Sequence, residues 1–198
     1  MKYINQRDYP DLPYITRANP EDPRHERGKK TTIRSSGCGL CSALMVADRL
    51  LPEFEFSLED AIALSYEAKA NRGPGTARNF FSAFGEKVGL RCERASTLEE
   101  LKACLESGGA AVVLVSEVKG EHPGLFTHGG HYMAVVGIEP DGRLAILDPS
   151  YFEGKYEEEG REGKVEVKCG VIALCDAELL HHETRAKQPG AYMLFHRT

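Results

Sequence analysis

No run of this 198-residue sequence is apolar for long enough to cross a bilayer, which takes about 20 consecutive residues as a helix. The start, Met1-Lys2-Tyr3-Ile4-Asn5-Gln6-Arg7-Asp8, lacks the apolar core of a secretory signal, so a cytoplasmic location is expected. Positive charge is not in excess: the net charge is −5. That leaves no whole-molecule case for a nucleic-acid or anionic-membrane partner. There is no internal repeat and no linker-like boundary, so residues 1–198 read as one domain. Apolar content of 41% and charged content of 28% fit a globular chain with a substantial core.

Cysteine is present, at six positions. An even count would allow three disulfides, but in a reducing compartment free thiols are expected. Cys92, Cys104, Cys169 and Cys175 lie among apolar residues and read as small core fillers. Cys38 is different. It sits in Ser35-Ser36-Gly37-Cys38-Gly39-Leu40-Cys41-Ser42, and Ala43, Leu44, Met45, Val46, Ala47, Leu50 and Leu51 follow at once. This reads as a loop that delivers a thiol to the first turn of a buried helix. Free N–H groups and partial positive charge there lower a thiol's pKa.

Residues 1–34 are broken by Pro10, Pro13, Pro20 and Pro23, with Tyr3, Ile4, Tyr9, Leu12, Tyr14 and Ile15 as scattered apolar contacts. They read as an extended arm, then a loop. Arg17, Arg24, Arg27, Lys29, Lys30 and Arg34 make that loop basic, either as a solvated segment or as a substrate-docking patch. The spacing predicts a helix over 38–51 stopped by Pro52. A second is expected from a near capping box, Ser57 to Asp60, running to about Asn71. Thr76 is the expected cap of a third, whose Phe80, Phe81, Phe84 and Val88 recur at helical spacing and belong to the core. A short strand begins at Gly89. Thr97 and Glu100 form a full capping box for a fourth helix, ended by Gly108-Gly109.

From there the pattern turns to strands: 110–115, 131–138, 143–147, 165–167, 170–174 and 191–196, with one short helix over 176–182. Residues 151–164 are acidic and glycine-rich and read as a surface excursion. Helices first and an antiparallel sheet afterwards define an α+β fold.

A cysteine nucleophile needs a base, a group that orients the base, and donors for an oxyanion. His131 opens a strand after Gly129-Gly130, and Asp148 ends the neighbouring strand. A tight turn at Pro140-Asp141-Gly142 places the two across from each other at the open end of the hairpin. His122 and His128 read as loop residues near this cleft, a candidate lid.

Gln6, Ser36-Gly37-Cys38-Gly39, Gly130-His131-Tyr132 and Leu147-Asp148-Pro149 together resemble papain-like cysteine peptidases of the bacteriocin-processing type, cysteine peptidase family 39. The resemblance runs from Gln6 to Asp148. It implies a papain-like fold with N-terminal helices packed on a C-terminal antiparallel sheet. Cys38 would be the nucleophile, His131 the base and then the acid, and Asp148 the group that orients the imidazolium. Gln6 would donate to the oxyanion together with the Cys38 backbone N–H. The implied partner is a peptide or protein substrate; no cofactor and no metal is expected. Members often cleave after a double-glycine leader, free-standing or fused to a transporter. With no transporter portion in the sequence, a leader-peptidase role is not expected here.

Cys41 departs from that pattern. Cys38-Gly39-Leu40-Cys41 has the spacing of a redox pair, although no βαβ context surrounds it. It could also be half of a zinc site, with Cys169 and Cys175 or His181 and His182 as the other half, but their spacing is poor. A third alternative is a non-catalytic binding module on the same fold, using the 24–34 or 151–164 loop.

Overall fold

The computed structural model describes residues 1–16, 31–117 and 124–198. The basic positions Arg17, Arg24, Arg27, Lys29 and Lys30, and His122 in the second loop, lie outside the described residues.

The helices are α1 (Ile33–Ser36), α2 (Cys38–Leu50), α3 (Leu58–Glu67), α4 (Asn79–Val88), α5 (Leu98–Glu106) and α6 (Ala177–Glu183). The strands are β1 (Leu90–Ala95), β2 (Ala110–Val115), β3 (His131–Ile138), β4 (Leu144–Leu147), β5 (Val165–Lys168), β6 (Ile172–Cys175) and β7 (Tyr192–Arg197). All seven strands form one antiparallel sheet in the order β1-β7-β2-β3-β4-β6-β5.

Alternation along β3 divides the core. Tyr132, Ala134 and Val136 face one side, where Leu40, Leu44, Val46 and Leu50 of α2 and the phenylalanines of α4 pack. Each such buried side chain contributes about 1.5–3 kcal/mol. Met133 and Val135 face the other side, covered by Leu98, Leu101 and Leu105 of α5 and Leu180 of α6. The N-terminal helices thus pack on one face of the sheet, and later helices close the second face.

Both expected capping boxes form. Asp60 N–H donates to Ser57 Oγ at 3.0 Å, and Glu100 N–H to Thr97 Oγ1 at 3.3 Å. In each, the carboxylate reaches back to the cap's backbone N–H. Thr76 caps nothing; α4 starts at Asn79. Its hydroxyl is instead 3.0 Å from Tyr14 Oη in the core, which also holds Ser65 Oγ at 2.8 Å. The helix expected to reach Asn71 ends at Glu67. The core-filler reading holds for Cys104 and Cys175. Cys92 is only half-buried in β1, and Cys169 is exposed at a positive φ in the turn between β5 and β6. All six cysteines are free thiols.

The register of β3 on β4 contains a bulge. Next to the turn, Ile138 faces Leu144 and Gly137 faces Ala145; beyond Val136 the pairing slips, and Val135 faces Ile146 and Ala134 faces Leu147. Continued by one residue, this register sets Asp148 beside Met133, on the same face as His131. Without the bulge Asp148 would lie beside Ala134 and point to the opposite face. The expected direct opposition of His131 and Asp148 is therefore wrong by two residues along the strand, and an even offset preserves the face.

Candidate active site

Cys38 is the first residue of α2, where helix geometry leaves backbone N–H groups without intrahelical acceptors. The glycines beside it are required by space. A Cβ on Gly37 would sit 2.7 Å from the Ile33 carbonyl oxygen, and one on Gly39 would sit 2.8 Å from Thr76 Cβ and 3.2 Å from the Tyr132 ring. Tight packing of α1, Thr76 and Tyr132 fixes where the thiol stands.

His131 is the first residue of β3 and is buried, with its side chain 7% exposed. Its Nε2 lies 2.7 Å from Asp148 Oδ1. The carboxylate selects the tautomer with hydrogen on Nε2 and leaves Nδ1 for the thiol. The Cys38 thiol and the His131 imidazole act directly on one another. The structure thus brings Cys38, His131 and Asp148 together in that order, with the thiol partly exposed and the other two side chains buried.

The charges follow from these contacts. Burial pushes the Cys38 thiol up, but the hydrogen bond and charge of His131, with the backbone amides of Tyr132 and Gly39, outweigh it and hold the thiol below its ordinary value. Burial pulls His131 down, but Asp148 and then Cys38 raise it to about 9. Asp148 resists burial because His131 and Lys155 keep it far below the usual carboxylate range. Both shifts run in the direction that favours a Cys38 thiolate beside a His131 imidazolium over the neutral pair.

Gln6 is buried in a short 3-10 turn, Gln6–Asp8. Its backbone N–H donates to the Pro149 carbonyl at 2.7 Å, and its side-chain Nε2 to the Arg34 carbonyl at 2.7 Å. It bridges the segment that leads into Cys38 and the loop that follows Asp148. The other side-chain atom, Oε1, is buried without a partner among the described residues. Tyr3 Oη donates to the Asp148 carbonyl at 2.7 Å, and Asn5 Nδ2 to the Tyr151 carbonyl at 2.9 Å. The N-terminal arm thereby clamps the loop after β4.

Two residues of this site were not expected from the sequence. Residues 151–164 are a chain of turns, but Lys155, Tyr156 and Arg161 within them are buried. Lys155 Nζ lies 2.5 Å from Asp148 Oδ2, and Tyr156 Oη 2.7 Å from the same oxygen. The acidic, glycine-rich composition conceals them. Their signal is a lone Lys-Tyr pair among Glu153, Glu157, Glu158, Glu159 and Glu162.

His128 lies on the loop before β3, exposed, 3.3 Å from Glu117 and 3.3 Å from Arg161. Cys41 is fully buried in the core, and burial, then the Cys38 charge, pushes its thiol well above the ordinary value. Among the described residues no three His, Cys, Asp or Glu side chains gather as a metal site would require; His181 is hydrogen-bonded to Tyr192 Oη at 2.6 Å.

No family model matches this chain, and no curated protein does. Solved structures do. The peptidase domain of Streptococcus ComA, a bifunctional ABC transporter involved in quorum sensing, superposes with a TM-score of 0.51 at 16% identity, covering 81% of this chain and 91% of that one. A protein of Bacillus anthracis described as a C39-like peptidase gives a TM-score of 0.51 at 11% identity, over 100% of this chain and 99% of that one. The chain shares the fold of these two structures. At these identities the likeness speaks for the papain-like architecture, and the chemistry rests on the side chains above.

Proposed function

We propose that this protein is a cysteine peptidase that uses Cys38, His131 and Asp148 with Gln6 as an oxyanion donor. The observation that carries the reading is the grouping of Cys38, His131 and Asp148, with 2.7 Å between the buried imidazole and carboxylate, on a fold shared with peptidase domains.

In this mechanism the Cys38 thiolate attacks the carbonyl carbon of a peptide bond. The oxyanion that forms accepts from the Cys38 backbone N–H and from Gln6, whose amide has a second N–H beyond the one given to Arg34. His131 gives its proton to the leaving amine, the C–N bond breaks, and a thioester remains. His131 then takes a proton from water, the hydroxide adds to the thioester, and the acid is released as the thiolate returns. Asp148 keeps the imidazole in the required tautomer throughout. The buried, raised Cys41 is a poor resolving thiol, which weighs against redox exchange at the same pair.

The test needs no knowledge of the substrate. Iodoacetate is an anion drawn by the imidazolium, so its reaction with Cys38 reports the ion pair. An ordinary thiol is only a few per cent thiolate near neutrality, so Cys38 should label at least about tenfold faster than the other cysteines. The rate should fall as pH rises through about 9, where His131 loses its proton. His131→Ala should abolish the advantage. Equal labelling of all six cysteines in the native protein would refute the proposal.

A further inference from the structure

Asp148 has two carboxylate oxygens, and His131 uses only one. Oδ1 accepts from His131 Nε2 at 2.7 Å and from the Ser150 N–H at 2.8 Å. Oδ2 accepts from Lys155 Nζ at 2.5 Å and from Tyr156 Oη at 2.7 Å. The Lys155 side chain is 5% exposed. An ammonium taken out of water is costly unless paired at close range, so this contact is a built feature of the site.

The segment around Lys155 is itself held. Arg161 Nη1 donates to the Lys155 carbonyl at 3.3 Å, and Arg161 Nε to the Gly124 carbonyl at 3.2 Å. The Tyr156 ring packs edge-on against Phe126 and stacks on Tyr151. Residues 151–164 therefore form a strap tied to the loop before His131 as well as to Asp148.

We propose that Lys155 is a positioning residue of the catalytic site: its ammonium partly neutralises Asp148 from the far side of the carboxylate and so sets how tightly His131 holds its proton. This deepens the cysteine-peptidase reading and rests on it. A bare buried carboxylate would fix the imidazolium so firmly that it would be a weak acid for the leaving amine. Lys155 opposes that from across the carboxylate, a range at which a buried charge still acts strongly.

The other groups facing His131 do not duplicate this role. Cys38 faces it from α2. Tyr156, behind Asp148, and Tyr3, on the Asp148 carbonyl, are both raised and uncharged. Lys187, from the turn before β7, stands beside Gly130, its Nζ 3.6 Å from where a Cβ there would be. Besides His131 itself, Lys155 is the cation in contact with the carboxylate among the described residues.

The experiment is the pH profile of Cys38 labelling by iodoacetate, read by peptide mass, in the native protein, Lys155→Met and Lys155→Arg. In Lys155→Met the alkaline limb should move up by about one pH unit, and Lys155→Arg should return it to the native position. Lys155→Gln, which removes the charge but keeps a donor, replaces Lys155→Met if that variant does not fold. A folded neutral variant with the native limb would overturn the proposal, because a purely structural lysine changes stability and not the limb. Failure of the underlying reading looks different: the native protein itself would show no accelerated Cys38.

Discussion

Replacing Asp148 by Asn should expose how the buried charges depend on one another. The side chains of Asp148 and Lys155 are 1% and 5% exposed and 2.5 Å apart. The amide nearly conserves the shape, but its single oxygen can accept on the Tyr156 side or on the Ser150 side, not both. What is lost is the charge opposite two buried cations, Lys155 and His131. Removing one partner of a buried pair costs about 3–5 kcal/mol, because the other charge is left without compensation. For a chain of this length that corresponds to a fall in Tm of about 6–20 °C. Adding Lys155→Met to Asp148→Asn removes one orphaned charge and should recover at least about 2 kcal/mol relative to the sum of the single losses. The assay is urea unfolding near neutral pH for the native chain, both single variants and the double variant. Iodoacetate labelling of Cys38 should remain slow in the double variant, since restored stability does not restore the carboxylate. Single losses that add to within about 0.5 kcal/mol would refute the coupling, and with it the view that Lys155 and Asp148 act as a pair.

Two further outcomes test separate parts of the site. Gln6→Ala should lower kcat on a cleavable peptide by about 100- to 1,000-fold, while labelling of Cys38 changes by less than about threefold, because alkylation forms no oxyanion. Deleting Val136 removes the bulge but leaves Ala134 opposite Leu147, so Asp148 stays beside Met133 on the face of His131. Far-UV circular dichroism should still report a folded sheet, and the labelling advantage of Cys38 should be kept; its loss in a folded variant would refute this account of the register.

Much of this site is legible in the sequence because its positions are punctuated. Gly37 and Gly39 flank the thiol where no Cβ fits. His131 and Asp148 mark the ends of two short apolar strands joined by a turn. The exact register was not legible from turn chemistry alone. Its clue is Gly137, an isolated glycine in an otherwise apolar strand and the immediate neighbour of the bulged Val136. Thr76 misled because a hydroxyl before a helical pattern reads as a cap, whereas here Tyr14 and Gly39 claim it from far along the chain. Lys155 and Tyr156 were hidden for a related reason. Composition averages over a segment, and a segment that is mostly solvated can still send two side chains inward. Gln6 needed the family resemblance, since nothing local distinguishes it from an exposed polar residue.

The clamp made by Tyr3, Asn5 and Gln6 has a consequence for the order in which the molecule can be completed. Tyr3 and Asp148 are 145 residues apart, and Asn5 and Tyr151 are 146 apart. During synthesis at about 5–20 residues per second, the arm waits for roughly 7–30 seconds before its partners exist. Closing a loop of that length is also entropically costly, so these contacts form late even in the free chain. The thiol-bearing helix can therefore be in place well before the carboxylate loop is locked. A nascent chain carries the nucleophile without the finished relay, and competence for chemistry arrives with the last third of the polypeptide.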